Sequence, residues 1–186
     1  MESLKPVPVP ADPTEMGPRF RQAISRFSTG VAVITTCTPQ GPAGMTASAV
    51  ASLSMDPLQL LVCIGSKLPT CRAIVESGYF AVNVLGEGQE HLAKRFATRG
   101  ADKFAGVELR AESDIPVLTE AIAHFICSVG AALPGGDHTI VVGDVLTCGH
   151  VPDVNPLVYF ASAFGNLYDP AAHADRAGDW HFASAM

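Results

Sequence analysis

Residues 45–70 gather the groups in this chain that suit a phosphorylated, flat ligand. Thr46, Ser48, Ser52 and Ser54 set small hydroxyls along one apolar run, and Ser66, Lys67 and Thr70 set two hydroxyls and a cation where a second run, 58–65, ends. A helix-like stretch follows through Ser77, with Cys71, Ile74 and Val75 on one side. The first amides of a helix point outward unpaired and carry partial positive charge, so a helix start beside a lysine attracts phosphate. Spacing alone equally allows an ordinary hairpin leading to a helix capped by Ser66, with Lys67 in solvent. A second candidate is Asp137-His138, in a glycine-rich turn between two β-rich runs. Turn histidines are by default solvated or structural.

The elements that position these groups are legible in outline. Residues 45–55 alternate small polar with apolar side chains, as a bent strand does, and Asp56-Pro57 separates them from 58–65, so the two form a hairpin. Phe20, Ala23, Ile24 and Phe27 fall at helical spacing and predict a helix laying one face on a core and ending at Gly30. Residues 31–38 and 79–85 read as strands, 39–44 as a turn, 99–112 as a loop, whose Lys103 and Phe104 either fold back or lie in solvent, and 157–161 as a last strand. Residues 123–133 and 139–151 read as paired strands. Leu92, Ala93, Phe96 and Ala97 form the apolar face of a further helix. Before it, Gly86-Glu87-Gly88 imitates a dinucleotide fingerprint. His91 stands where the third glycine belongs, and Glu87 and Glu90 repel a pyrophosphate.

Many β runs without βαβ alternation predict a mainly β fold, an antiparallel barrel with peripheral helices. With 186 residues one domain is expected. Twelve basic against eighteen acidic residues, a net charge of −6, argue against nucleic acid as a partner. The uncharged span between Arg26 and Asp56 is broken by Pro39 and Pro42 and filled with hydroxyls, so no membrane span is expected. The N-terminus has prolines where a signal peptide needs an apolar core, which makes the cytoplasm the expected location. Hydrophobic residues at 48% and a mean hydropathy of +0.26 suggest that surface is buried against a partner subunit. Five scattered cysteines without a Cys-x-x-Cys behave as small buried residues rather than a disulfide framework. Neither they nor the six histidines show metal-ligand spacing, and no Gly-x-Ser-x-Gly elbow supports a hydrolase. His91, His173 and His181 are expected at the surface. Trp180 and Phe182 in the tail are expected to dock on a neighbour.

Several ordered motifs together resemble the flavin reductase-like family, the small reductase components of two-component flavin-dependent monooxygenases. They are Phe27-Ser28-Thr29-Gly30-Val31, Gly44-Met45-Thr46-Ala47-Ser48, Ser52-Leu53-Ser54, Phe80-Ala81-Val82-Asn83-Val84, Arg95-Phe96-Ala97, Asp102-Lys103-Phe104 and Gly136-Asp137-His138-Thr139. The resemblance implies a split β-barrel over residues 19–168, between an extended arm at 1–18 and a tail at 169–186. It implies a homodimer with its cofactor sites near the subunit interface. By the same resemblance Met45, Thr46, Ala47 and Ser48 meet the isoalloxazine ring, and Ser52 and Ser54 the ribityl chain and phosphate. Cys63, Ile64 and Gly65 lie beneath, and Ser66, Lys67 and Thr70 hold the phosphate end. Phe96 and Lys103 lie near the flavin, and Asp137 and His138 face the nicotinamide.

The function so implied is hydride transfer from NADH, with NADPH as the alternative, to FAD or FMN, followed by release of reduced flavin to a separate monooxygenase. Its rivals are a flavin-binding carrier or sensor without turnover and a split-barrel oxidase of a pyridoxamine-like substrate.

Overall fold

A computed structural model describes residues 13–100, 102–110 and 114–167. Helix α1 (Pro13–Ile24) leads into a two-residue strand, β1 (Thr29–Gly30), and then into β2 (Ala32–Thr38), β3 (Gly41–Ala47), β4 (Val50–Met55) and β5 (Leu58–Gly65). Helix α2 (Pro69–Ser77), β6 (Tyr79–Val84), α3 (Glu90–Ala97), β7 (Ala123–Gly135), β8 (His138–His150), β9 (Leu157–Phe160) and β10 (Ala163–Asn166) complete the order. Seven strands form one antiparallel sheet, β3-β2-β6-β7-β8-β5-β4, and β1-β9-β10 form a small second one.

The edge strands of the large sheet, β3 and β4, are consecutive in the chain and joined by Ser48 and Ala49 alone. Ala47 and Val50 therefore lie no more than about 11 Å apart, and a seven-stranded sheet whose edges approach that closely must curl on itself. β3 and β4 share no ladder, so the barrel is split along this seam.

Period-two alternation sends neighbouring residues of β2 into two cores. Ala32 and Ile34 join Val62, Ile64, Ile74 and Phe80 inside the barrel. Val31 and Val33 join Leu85, Leu92, Phe96 and Leu157 between the barrel wall, α3 and the small sheet. Asn83 crosses the wall with no exposed surface. Its Nδ2 donates to the Val33 carbonyl and the Thr35 hydroxyl, both at 3.0 Å, and its Oδ1 accepts the Leu118 amide at 2.8 Å. The Thr35 hydroxyl in turn donates to the Pro116 carbonyl.

Several expectations change. The N-terminal helix starts at Pro13, so residues 13–18 are helical rather than extended, and it stops at Ile24 rather than reaching Gly30. Turn bonds from the amides of Arg26 to Ala23 and of Phe27 to Ile24 end it, and Thr29–Gly30 pair with β9 instead. Its apolar residues do not face a core within this chain: Phe20, Ile24 and Phe27 are 62%, 51% and 70% exposed. Residues 41–44 are strand rather than turn, because the small side chains of Gly41, Pro42, Ala43 and Gly44 fit an edge paired to β2. Val75 lies on the exposed side of α2, and Ala73 takes its place in the interior. The cysteines are free, but only Cys71 and Cys127 are buried, while Cys37 and Cys148 are exposed. β10 was not foreseen; it pairs with β9 through a turn in which Ala161 and Ser162 both take positive φ, 50° and 64°.

The dinucleotide decoy is excluded on backbone grounds. The Gly86 amide donates to Gln89 Oε1 and the Glu87 amide to the Asn155 carbonyl, so neither is offered to a phosphate. Trp180 and Phe182 lie outside the described residues. Among the described residues no helix is long and apolar enough to cross a membrane, and no group of histidine, cysteine and carboxylate side chains could hold a metal ion.

Candidate functional site

The link at residues 47–49 divides two clefts. The larger, about 960 Å³, is lined from β3 by Met45 and Thr46, from the start of α2 by Lys67 and Thr70, and from the segment after α3 by Arg99 and Lys103. The smaller, about 580 Å³, is lined by Ser48, Ala49 and Cys63 on one side and by Phe27, Tyr159 and Phe160 on the other.

α2 begins without a side-chain cap. Leu68 occupies the cap position, so Ser66 is not the cap, and its hydroxyl pairs with that of Thr139 at 3.0 Å. Thr70, in the first turn, is 7% exposed and lines the larger cleft, and its hydroxyl has no hydrogen-bond partner among the described residues. An unpaired threonine hydroxyl at an uncapped helix start, beside the exposed Lys67, is a donor set matched to an anion.

Sheet register brings the Asp137-His138 turn to the same point. His138 pairs with Gly65, and the Ser66 amide donates to the Asp137 carbonyl at 3.0 Å. His138 therefore stands at the start of β8, beside the end of β5 that precedes Lys67. Its Nδ1 lies 2.7 Å from Asp137 Oδ1. The hydrogen bond from His138, then its charge, and in smaller part the charge of Lys67 hold the Asp137 carboxyl below the usual range.

Other expected residues prove to be spent on structure. Thr46 Oγ1 donates to the Ala93 carbonyl at 2.6 Å. Lys103 Nζ donates to the carbonyls of Gly44 and Phe96, so it ties the end of α3 to β3; partial burial lowers its pKa. Phe96 has no exposed surface but stands among the residues around the larger cleft, edge to face with Phe104 at 5.0 Å between centroids. Ala47 and the side chain of Ile64 are buried in the barrel core, and Gly65 ends β5 against Leu68. Ser52 and Ser54 lie opposite Leu60 and Gln59, five and six residues along β5 from Gly65. That is roughly 17–20 Å, so a phosphate held by Lys67 is out of reach of both. The Ser54 hydroxyl instead accepts the Asp56 amide.

Arg99 and the aromatic wall of the smaller cleft were not singled out as site residues. Phe27 stands inside the Phe27-Ser28-Thr29-Gly30-Val31 motif, which is the available signal; nothing in the sequence marks Arg99.

Residues 24–168 match the family described as flavin reductase like domain. The chain belongs to the flavin reductase-like family. It is 41% identical over 148 residues to the reductase component of 4-nitrophenol 4-monooxygenase/4-nitrocatechol 2-monooxygenase of Rhodococcus opacus, covering 80% of each chain. To the flavin reductase (NADH) of Kitasatospora aureofaciens it is 42% identical over 153 residues, again covering 80% of each. Its fold is similar to that of a Streptomyces globisporus NADH:FAD oxidoreductase solved with NAD and FAD fragments, with a TM-score of 0.79, 33% identity and coverage of 89% and 99%. The seam residues of this flavin reductase-like chain fit a flavin: Lys67, Thr70 and the uncapped start of α2 suit its phosphate, and the apolar, aromatic walls of the smaller cleft suit a planar ring.

Proposed function

We propose that this chain is an NADH-dependent flavin reductase that passes reduced flavin to a separate flavin-dependent monooxygenase. The observation that carries this reading is the meeting, at one end of β5, of an anion-binding helix start with the Asp137-His138 turn. The bound flavin supplies the hydride acceptor, and the protein supplies alignment and exclusion of water. Lys67 and Thr70 anchor the phosphate. Ser48, Ala49 and Cys63 border the ring, and His138, steadied by Asp137, orients the nicotinamide. The cytoplasm is the matching location.

Two substitutions separate these roles. Lys67→Ala raises the flavin KM about tenfold with kcat nearly unchanged, because a phosphate contact is equally present in ground and transition states. His138→Ala leaves flavin affinity intact and raises the NADH KM or slows single-turnover reduction, by about 1–2 kcal/mol for one lost hydrogen bond. Steady-state and stopped-flow measurements with NADH decide. Flavin that survives prolonged dialysis, together with no NADH oxidation, would instead establish a carrier or sensor.

The chain functions as a homodimer in this reading. Met16, Phe20, Ile24 and Phe27 expose an apolar stripe along and just past α1, beside the smaller cleft that Ile24 and Phe27 help to line. Light scattering at micromolar concentration is expected to give twice the chain mass, and a monomer mass overturns this assignment.

A further inference from the structure

Three basic residues line the larger cleft: Lys67, Arg99 and Lys103. Lys103 is committed to two backbone carbonyls. Nearby Arg95 is committed to the Ala105 carbonyl, and the Asp102 carboxylate accepts the Phe104 amide. Lys67 and Arg99 remain exposed, with no hydrogen bond or ion pair among the described residues. They stand on different walls, Lys67 at the start of α2 and Arg99 on the segment after α3. A single phosphate is satisfied by Lys67, the α2 amides and the Thr70 hydroxyl. A second cation in the same cleft, with a planar fork suited to phosphate, is surplus to one flavin phosphate and matches a further phosphate, which a comparison of FAD with FMN assigns to the flavin rather than to NADH. The cleft is also the larger of the two, about 960 Å³ against 580 Å³, although the ring is assigned to the smaller.

We propose that the larger cleft receives the diphosphate of a flavin adenine dinucleotide, Lys67 meeting the phosphate on the ribityl side and Arg99 the phosphate on the adenosine side. The assignment rests on the flavin reading above and makes FAD the preferred flavin. Arg99 is then a specificity residue. It distinguishes FAD from FMN without touching the ring or the nicotinamide.

Flavin fluorescence titration of the full-length protein tests this without relying on turnover. Arg99→Ala is expected to weaken FAD about tenfold while leaving FMN unchanged, as loss of one charge-assisted contact does. Arg99→Lys restores most of the loss, and Lys67→Ala weakens both flavins. Equal weakening of FAD and FMN by Arg99→Ala, or no change in either, overturns the diphosphate assignment while the flavin reading stands. A wild-type protein that binds neither flavin overturns both.

Discussion

Asn83→Ala is expected to lower the stability of the fold by about 3 kcal/mol, the largest loss from any single polar side chain described above. Asn83 has no exposed surface, and its amide group serves three partners: the Val33 carbonyl, the Thr35 hydroxyl and the Leu118 amide. Alanine removes these bonds and leaves the Val33 carbonyl and the Leu118 amide without their side-chain partner, where water cannot replace it. For a domain of this length the loss corresponds to a fall in Tm of roughly 6–12 °C. The damage has a direction. Leu118 belongs to a strap in which the Arg110 amide bonds the Val117 carbonyl and the Thr119 amide the Glu108 carbonyl. That strap packs in the second core with Phe104 and Val107. Flavin affinity therefore weakens along with stability. Asn83→Asp keeps an acceptor for Leu118 but loses both donors and buries a charge, so it is at least as damaging near neutral pH. A thermal midpoint within about 2 °C of wild type for Asn83→Ala would show that the node contributes nothing.

The second large effect is expected at Gly44. A Cβ there would lie 2.9 Å from Phe96 Cε1 and 3.1 Å from Phe104 Cζ. Phe96 is fully buried and cannot swing outward, so Gly44→Ala forces β3 away from α3. Overpacking of this kind costs about 1–3 kcal/mol. It also strains the bond from Lys103 to the Gly44 carbonyl, which helps hold the cleft wall. Denaturant unfolding and flavin titration should move together. Gly30→Ala is the control: its added carbon meets nothing within 4 Å, and its effect is expected to stay within about 0.5 kcal/mol. Equal behaviour of the two variants would refute the packing account.

These two positions also explain what could be read in the sequence. β2, β5, β6, α2, α3 and the β7-β8 pair were legible because their periodicity reports burial within one chain. β3 hid its first residues, since Gly41 to Gly44 look like a turn, and only at Gly44 do Phe96 and Phe104 supply a reason for the small residue. The stripe of Phe20, Ile24 and Phe27 was legible as apolar, but a pattern cannot say whether the surface it meets lies in the same chain. Type and spacing marked Lys67 and Thr70 as candidates and the family resemblance marked His138, and register places His138 beside the end of β5 that precedes Lys67. Lys103, Phe96 and Thr46 were recognised as belonging to the neighbourhood, yet their contacts with backbone carbonyls and core rings are long-range and leave no local trace. Ser54 stands apart from Lys67 for a metric reason: residues near in sequence through a hairpin lie at opposite ends of β5.

β4 has a consequence for how copies of this chain can assemble. It is an uncharged edge strand, and such edges recruit further strands into open-ended stacks. The register shift between Ser52 and Ser54 divides its free row of amides and carbonyls into two short runs, neither suited to a long added strand. The opposite edge, β3, is fastened to α3 by Thr46 and Lys103. With both ends of the sheet so disposed, the proposed homodimer would form through the apolar stripe along α1. A patch that pairs with its own copy about a twofold axis closes after two chains, so a dimer built this way would not grow into a filament.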